Sequence, residues 1–229
     1  MASIAERLAA VRADIDDACR EAGRDPAEVR LLPVSKYHTV DSIREARAAG
    51  YVLFGENKVQ EMAAKHAALH GEGIGFAVIG HVQTNKARQV AELAAELHSL
   101  DSIRLAEALQ RRLEGTGRRL PVLIQVNTSA EEAKSGVRPD EAAAFAAALR
   151  PYDLLEARGL MTMAVNSPDR DAVAACFRTL AGLRDALRDA DGGGWDDLSM
   201  GMSGDYRIAI THGATTVRLG TAVFGPREN

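Results

Sequence analysis

Leu31-Leu32-Pro33-Val34-Ser35-Lys36 is a short, mostly apolar run that ends on a lysine. A strand buried on both faces reads as such a run, without the alternation of a half-exposed strand. Pro33 lacks the N–H that a central ladder needs, which is awkward inside a strand. Lys36 falls where the strand runs out, just before the polar Tyr37-His38-Thr39. A lysine there points from a dry wall into a cleft, and a desolvated amine attacks aldehydes. Such a lysine also reaches solvent along its own stem, so the run predicts a buried strand before it predicts any chemistry.

The same unit recurs outward from this run. Before it, Ile4, Leu8, Val11 and Ile15 repeat at helical spacing and Gly23 closes the helix. After it, Thr39 caps a helix that carries Val40, Ile43 and Ala46 inward. Apolar runs at 51–55, 76–80, 97–100, 121–127, 155–161, 197–201 and 216–220 predict seven more strands. Helical patterns between them begin at Glu56-Asn57, at 81–86, at an Asp101 cap, at Pro139, at Ser167-Pro168 and at a Ser203 cap. Residues 221–225 begin a last turn. Strands alternating with helices imply a parallel sheet. Eight such units within about 250 residues predict a closed (β/α)8 barrel of the TIM type, here with an extra N-terminal helix. A doubly wound open sheet is the alternative. No linker-like stretch divides the chain, so residues 1–229 are expected to form a single domain.

Composition narrows the function classes. Of the 229 residues 46% are hydrophobic and 26% charged, enough for a full core. The formal net charge of −4 speaks against a nucleic-acid or anionic-membrane partner. Cys19 and Cys176 lie in helical patterns outside any CxxC pair, as buried free thiols in a reducing compartment do. The N-terminus meets acids early and has no apolar signal core, and no run of eighteen apolar residues predicts a membrane span. A cytoplasmic protein is expected. His66 and His70 sit four apart on a helix but lack a third ligand, so no metal site is expected. Gly71-Glu72-Gly73-Ile74-Gly75 precedes a strand and is therefore not a dinucleotide loop.

In barrels of this kind the working groups sit at the carboxyl ends of the strands. Lys36, Asn57, His81, Asn127, Met161, Ser203 and Gly220-Thr221 stand at those ends. Gly201-Met202-Ser203-Gly204-Asp205 joins strand seven to a helix start, whose free N–H groups and dipole favour a phosphate. Gly220-Thr221 offers a close backbone approach and a hydroxyl. Ser203 alone is an ordinary cap and Gly220 alone an ordinary turn, but a phosphate site after strands seven and eight recurs in barrels. Arg218 lies inside an apolar strand, where a charge needs a partner. It shares a strand face with Gly220, so it serves a ring nitrogen or an anion in the site, or else pairs across the barrel with Glu156. A buried lysine, a phosphate cradle and an interior arginine together suggest pyridoxal 5′-phosphate, PLP. An arginine stays protonated and leaves the ring nitrogen unprotonated, which suits holding the cofactor more than carbanion chemistry. Lys134, in the loop after strand five, reads as a surface lysine or as a second charge steering phosphate at the mouth.

Val34-Ser35-Lys36, Phe54-Gly55-Glu56-Asn57, Ile79-Gly80-His81-Val82-Gln83-Thr84-Asn85-Lys86, Lys134-Ser135-Gly136, Gly159-Leu160-Met161-Thr162-Met163, Leu198-Ser199-Met200-Gly201-Met202-Ser203 and Val217-Arg218-Leu219-Gly220-Thr221 closely resemble the pyridoxal-phosphate homeostasis protein family. The resemblance runs in order over nearly the whole chain, with departures at His81 and Gly204. It implies the alanine racemase N-terminal barrel, a Schiff base (a covalent aldimine) at Lys36, ring contact by Arg218 and phosphate contacts from Ser203, Gly220 and Thr221. Asn57 would line the site. It also implies regulation of intracellular PLP supply without a defined reaction, hence no catalytic residues, and PLP-dependent apoenzymes are the expected acceptors. A monomer is expected. The competing class is a small PLP-dependent racemase or lyase, with Tyr37 or Tyr206 as a base. Only eight residues follow Thr221, which leaves no room for the second, β-rich domain of an alanine racemase. A third class is an interaction protein with a vestigial site.

Overall fold

The computed structural model of the chain describes residues 2–131 and 134–226. Glu132 and Ala133, in the polar loop after the fifth strand, lie outside the described residues, as do residues 227–229 of the C-terminal stretch. Eight strands run parallel in one sheet: β1 (Arg30–Pro33), β2 (Leu53–Glu56), β3 (Gly75–Val78), β4 (Glu96–Leu100), β5 (Leu120–Gln125), β6 (Leu155–Met161), β7 (Asp197–Ser199) and β8 (Thr216–Leu219). Their order is β1-β8-β7-β6-β5-β4-β3-β2. A bridge between Val34 and Gly55 brings β1 to β2 and nearly closes the barrel.

The helices α2 (Val40–Ala48), α3 (Val59–Ala68), α4 (Ala87–Leu93), α5 (Ile103–Leu113), α6 (Ala142–Leu149), α7 (Arg170–Asp191), α8 (Tyr206–Thr211) and α9 (Thr221–Phe224) follow the strands in turn. The added helix α1 (Ile4–Glu21) precedes β1 and packs on α2, α8 and α9. Its start is fixed by a capping box, with Ser3 accepting from the Glu6 amide and Glu6 accepting from the Ser3 amide. Strand residues Leu31, Phe54, Phe76, Val217 and Leu219 join helix residues Ile43, Met62, Leu105, Phe177 and Leu180 in one buried cluster. Each such side chain contributes about 1.5–3 kcal/mol by leaving water.

Pro33 fits because of where the seam lies. The Val34 amide donates to the Leu219 carbonyl at 2.8 Å and the Ser35 amide to the Gly55 carbonyl at 3.0 Å, so successive amides alternate between β8 and β2. The missing N–H of Pro33 therefore faces β2, where no ladder runs.

Several helix starts differ from the sequence reading. Glu56 is drawn into β2 as its last, fully buried residue, so α3 waits until Val59. The cap of α5 is Ser102, because the Asp101 carboxylate instead takes the His81 ring at 2.8 Å. A short turn at Thr84–Lys86 precedes α4, and α7 starts on an Asp169 cap beyond Pro168. Ser203 does not cap α8. Asp205 accepts from the Met202 amide at 2.6 Å, and that turn keeps Ser203 and Gly204 outside the helix. Cys19 and Cys176 are buried free thiols. Among the described residues no helix is long and apolar enough to cross a membrane, and no cluster of three His, Cys, Asp or Glu could hold a metal.

Candidate functional site

Lys36, Asn57, Ser203, Arg218, Gly220 and Thr221 line one cleft of about 200 Å³ at the carboxyl ends of the strands. Val34, Ile79, Met163 and Met202 supply its apolar walls. Lys36 stands three residues past the end of β1 and is half-buried. Its side chain makes no hydrogen bond or ion pair to a described residue.

Asn57 follows β2 directly, and its backbone is packed tightly under Gly80. A Cβ on Gly80 would lie 2.2 Å from the Asn57 carbonyl oxygen, so only glycine fits there. Ser99 fixes Gly80 in turn by donating to its carbonyl at 2.7 Å. The Asn57 Oδ1 atom is buried without a partner among the described residues. A buried acceptor left open at a cleft wall is a place for a ligand donor.

Arg218 is the interior cation of β8 and is 4% exposed. Its guanidinium donates to the Ser199 hydroxyl and to the Thr162 carbonyl, both at 2.8 Å. The alternative ion pair with Glu156 is not formed, because Glu156 is held by Arg119 at 3.2 Å and Arg158 at 2.8 Å. Burial lowers the guanidinium to about 10, against an upward pull from Asp205. It stays charged at neutral pH, with neutral partners on the protein side.

Those partners continue inward. The Ser199 hydroxyl accepts from Arg218 and so turns its own proton to His98 Nδ1, 3.0 Å away. That leaves the His98 Nε2–H donating to Glu96 at 2.7 Å. Burial holds the His98 imidazole below its ordinary value, in keeping with the neutral ring this chain requires. Burial disfavours the charge on Glu96, but hydrogen bonds from His98 and a bidentate Arg30, at 2.7 and 2.9 Å, outweigh it and carry the carboxyl down to about 2. One line of hydrogen bonds thus runs through the barrel interior from the cleft to Arg30 at the start of β1. The sequence signal for it was faint: Glu96 and His98 are two apart and share a strand face, and Ser199 is a lone hydroxyl in an apolar strand.

Opposite Lys36 the two loop ends leave backbone donors open. The amides of Ser203, Gly204 and Gly220 donate to no acceptor among the described residues. Thr221 opens α9, where first-turn amides have no intrahelical partner. Ser203, Gly220 and Thr221 line the cleft, and their open amides and the exposed hydroxyls of Ser203 and Thr221 make a donor set suited to an oxyanion, while Gly204 lines the adjoining hollow.

Other strand-end residues do not enter the cleft. His81 is exposed and held by Asp101, Met161 is fully buried, and Asn127 donates to the carbonyls of Glu131 at 2.9 Å and Lys134 at 3.2 Å. The Tyr206 hydroxyl donates to Asp14 of α1, and burial together with that carboxylate pushes it up to about 12. It is therefore no base for the cleft. Tyr37 is exposed with the Lys58 ammonium 5.5 Å over its ring, and neither tyrosine lines the cleft. Lys134 lines an adjoining hollow of about 610 Å³ that shares Met163 and Met202 with the cleft. Its ammonium donates to Glu131 and to the Ala164 carbonyl, both at 3.0 Å.

The model of the alanine racemase N-terminal domain family matches residues 7–228. A pyridoxal phosphate homeostasis protein of Pseudomonas aeruginosa is 43% identical over 228 residues, spanning 100% of this chain and 97% of the relative. The chain belongs to the pyridoxal phosphate homeostasis protein family. Two solved structures carry the same barrel. A protein of unknown function from Bifidobacterium adolescentis superposes with a TM-score of 0.91 at 35% identity, over 96% of this chain and 94% of its own. PipY of Synechococcus elongatus, solved with PLP bound, superposes with a TM-score of 0.84 at 35% identity, over 97% of this chain and 100% of its own. The barrel expected from the family motifs is thus the barrel observed.

Proposed function

We propose that this member of the pyridoxal phosphate homeostasis protein family binds PLP in the cleft, holds it covalently through Lys36 and serves its supply to enzymes that need it. The convergence of Lys36, Arg218 and the open amides of Ser203 and Gly220 on one cleft carries the reading. The residues fit the cofactor. The cleft offers an amine for its aldehyde, open donors for its phosphate, a buried cation for its ring nitrogen and an open acceptor at Asn57. When bound, PLP supplies an aldehyde that amines capture reversibly.

In this reading Lys36 would be the amine that holds the cofactor covalently through its aldehyde. Ser203, Gly220 and Thr221 hold the phosphate by charge-assisted hydrogen bonds. Arg218 donates to the ring nitrogen without giving up its proton, since about 10 is far above neutral pH. That leaves the ring a poor electron sink and favours holding over α-carbon chemistry. The working unit is the whole chain, 1–229, acting as a cytoplasmic monomer with PLP-dependent apoenzymes as acceptors.

The test is to load the protein with PLP, mix it with a cofactor-free transaminase and follow recovery of that enzyme, while assaying alanine racemisation in parallel. Recovery faster than spontaneous release, with negligible racemisation, is expected. Robust racemisation that disappears in Lys36→Ala would overturn the carrier reading, and transfer no faster than release would leave storage alone.

A further inference from the structure

Lys65 lies on α3, outside the cleft, with its side chain 8% exposed. Its ammonium donates to the Ser35 carbonyl, to Glu56 Oε1 and to Glu61 Oε1, each at 2.7 Å. Three N–H groups thus meet three acceptors. The fully buried Glu56 also accepts the Ser35 hydroxyl at 2.6 Å. Glu61 also accepts the Tyr37 backbone amide at 2.5 Å. Tyr37 sits at a φ of +66°, a left-handed conformation that a side-chain-bearing residue keeps only where its surroundings hold it.

Lys36 is the residue between these two anchors. Its own side chain has no partner among the described residues, so its direction is set by the backbone on either side. We infer that Lys65 is a positioning residue for Lys36: through Glu56 and Glu61 its ammonium clamps residues 35–37 and fixes the line along which the Lys36 amine enters the cleft. The rival view is a plain buried ion pair that ties α3 to β2. That view accounts for the Lys65–Glu56 contact, but not for the convergence of the same ammonium and both carboxylates on Ser35 and Tyr37.

The inference rests on Lys36 as the PLP-binding amine, and the test keeps the two apart. Glu61→Ala frees the Tyr37 amide while leaving the Lys65–Glu56 pair intact. Lys65→Met removes the clamp outright. Each variant is titrated with PLP and with pyridoxine 5′-phosphate, which has the same ring and phosphate but an alcohol in place of the aldehyde. A loss of about tenfold for PLP with less than twofold change for the alcohol is expected, because only the aldehyde needs the amine in line. Equal losses for both ligands, or no loss for either, overturn the inference. In cofactor-free protein, acetylation of Lys36 by a small succinimidyl ester is measured by peptide mass spectrometry against Lys86, in the turn before α4 and without contact to Tyr37. The Lys36-to-Lys86 ratio should change at least threefold in Glu61→Ala, and an unchanged ratio overturns the clamp. Failure of the wild type to bind either ligand would count against the PLP reading, and the acetylation ratio would still decide the clamp. Should Lys65→Met not fold, Glu61→Ala carries both measurements.

Discussion

Replacing Glu96 by glutamine removes the one negative charge on the line of hydrogen bonds behind Arg218, and the cost follows from its ionisation. The Glu96 carboxyl is carried from an ordinary value of 4.5 to about 2. A carboxyl depressed in the folded state stabilises the fold in full above its unfolded value, and that stability is lost as pH falls through the folded value. Each unit is about 1.4 kcal/mol, so the charged Glu96 contributes about 3 kcal/mol at pH 7 and about 1 kcal/mol at pH 3. Its side chain is 20% exposed, so solvent screening removes little of this. Glutamine keeps an oxygen for the His98 Nε2–H but turns its amide NH2 toward one Arg30 donor, so the charge is lost together with one Arg30 hydrogen bond. Glu96→Gln should therefore lower Tm by about 6–12 °C at pH 7, with the two proteins converging as pH approaches 2. Urea unfolding at pH 7 and pH 3 checks it. A deficit of equal size at both pH values, or none at pH 7, would refute the electrostatic reasoning.

Other consequences are as direct. Thr221→Ala should weaken PLP binding about tenfold or more with the fold intact, and pyridoxal without phosphate should bind far worse in an equilibrium titration. Gly80→Ala forces a Cβ to within 2.2 Å of the Asn57 carbonyl oxygen, so urea unfolding should show a loss of about 1–3 kcal/mol and PLP affinity should fall with it. Lys134→Ala should leave equilibrium PLP binding nearly unchanged and slow transfer to a cofactor-free transaminase, read from the rate at which that enzyme regains activity.

The alternation of buried runs with helical patterns was legible because both faces of most strands are dry, with exposed residues such as Arg30 of β1 and Arg158 of β6 as exceptions. That Lys36, Asn57, Ser203, Arg218, Gly220 and Thr221 share one cleft was legible because the carboxyl ends of parallel strands converge, so position along the chain stands in for position in space. What escaped was set by partners far away in sequence. Asp101 looked like a cap until His81, twenty residues earlier, took its carboxylate. Ser203 looked like a cap until Asp205 closed the turn first. His98 and Lys65 read as unremarkable members of an apolar strand and an amphipathic helix. Their roles depend on Ser199, Glu96, Glu56 and Ser35, which only the closed barrel brings within reach.

The central claim is that the Lys36 amine is the covalent anchor for PLP. The direct measurement is borohydride reduction of the PLP-loaded protein followed by peptide mapping, on the wild type and on Lys36→Ala. The account predicts one phosphopyridoxyl group per chain, on Lys36 in the wild type, and none above background in the variant. A reduced adduct on another lysine in the wild type, or an undiminished adduct in Lys36→Ala, would contradict it.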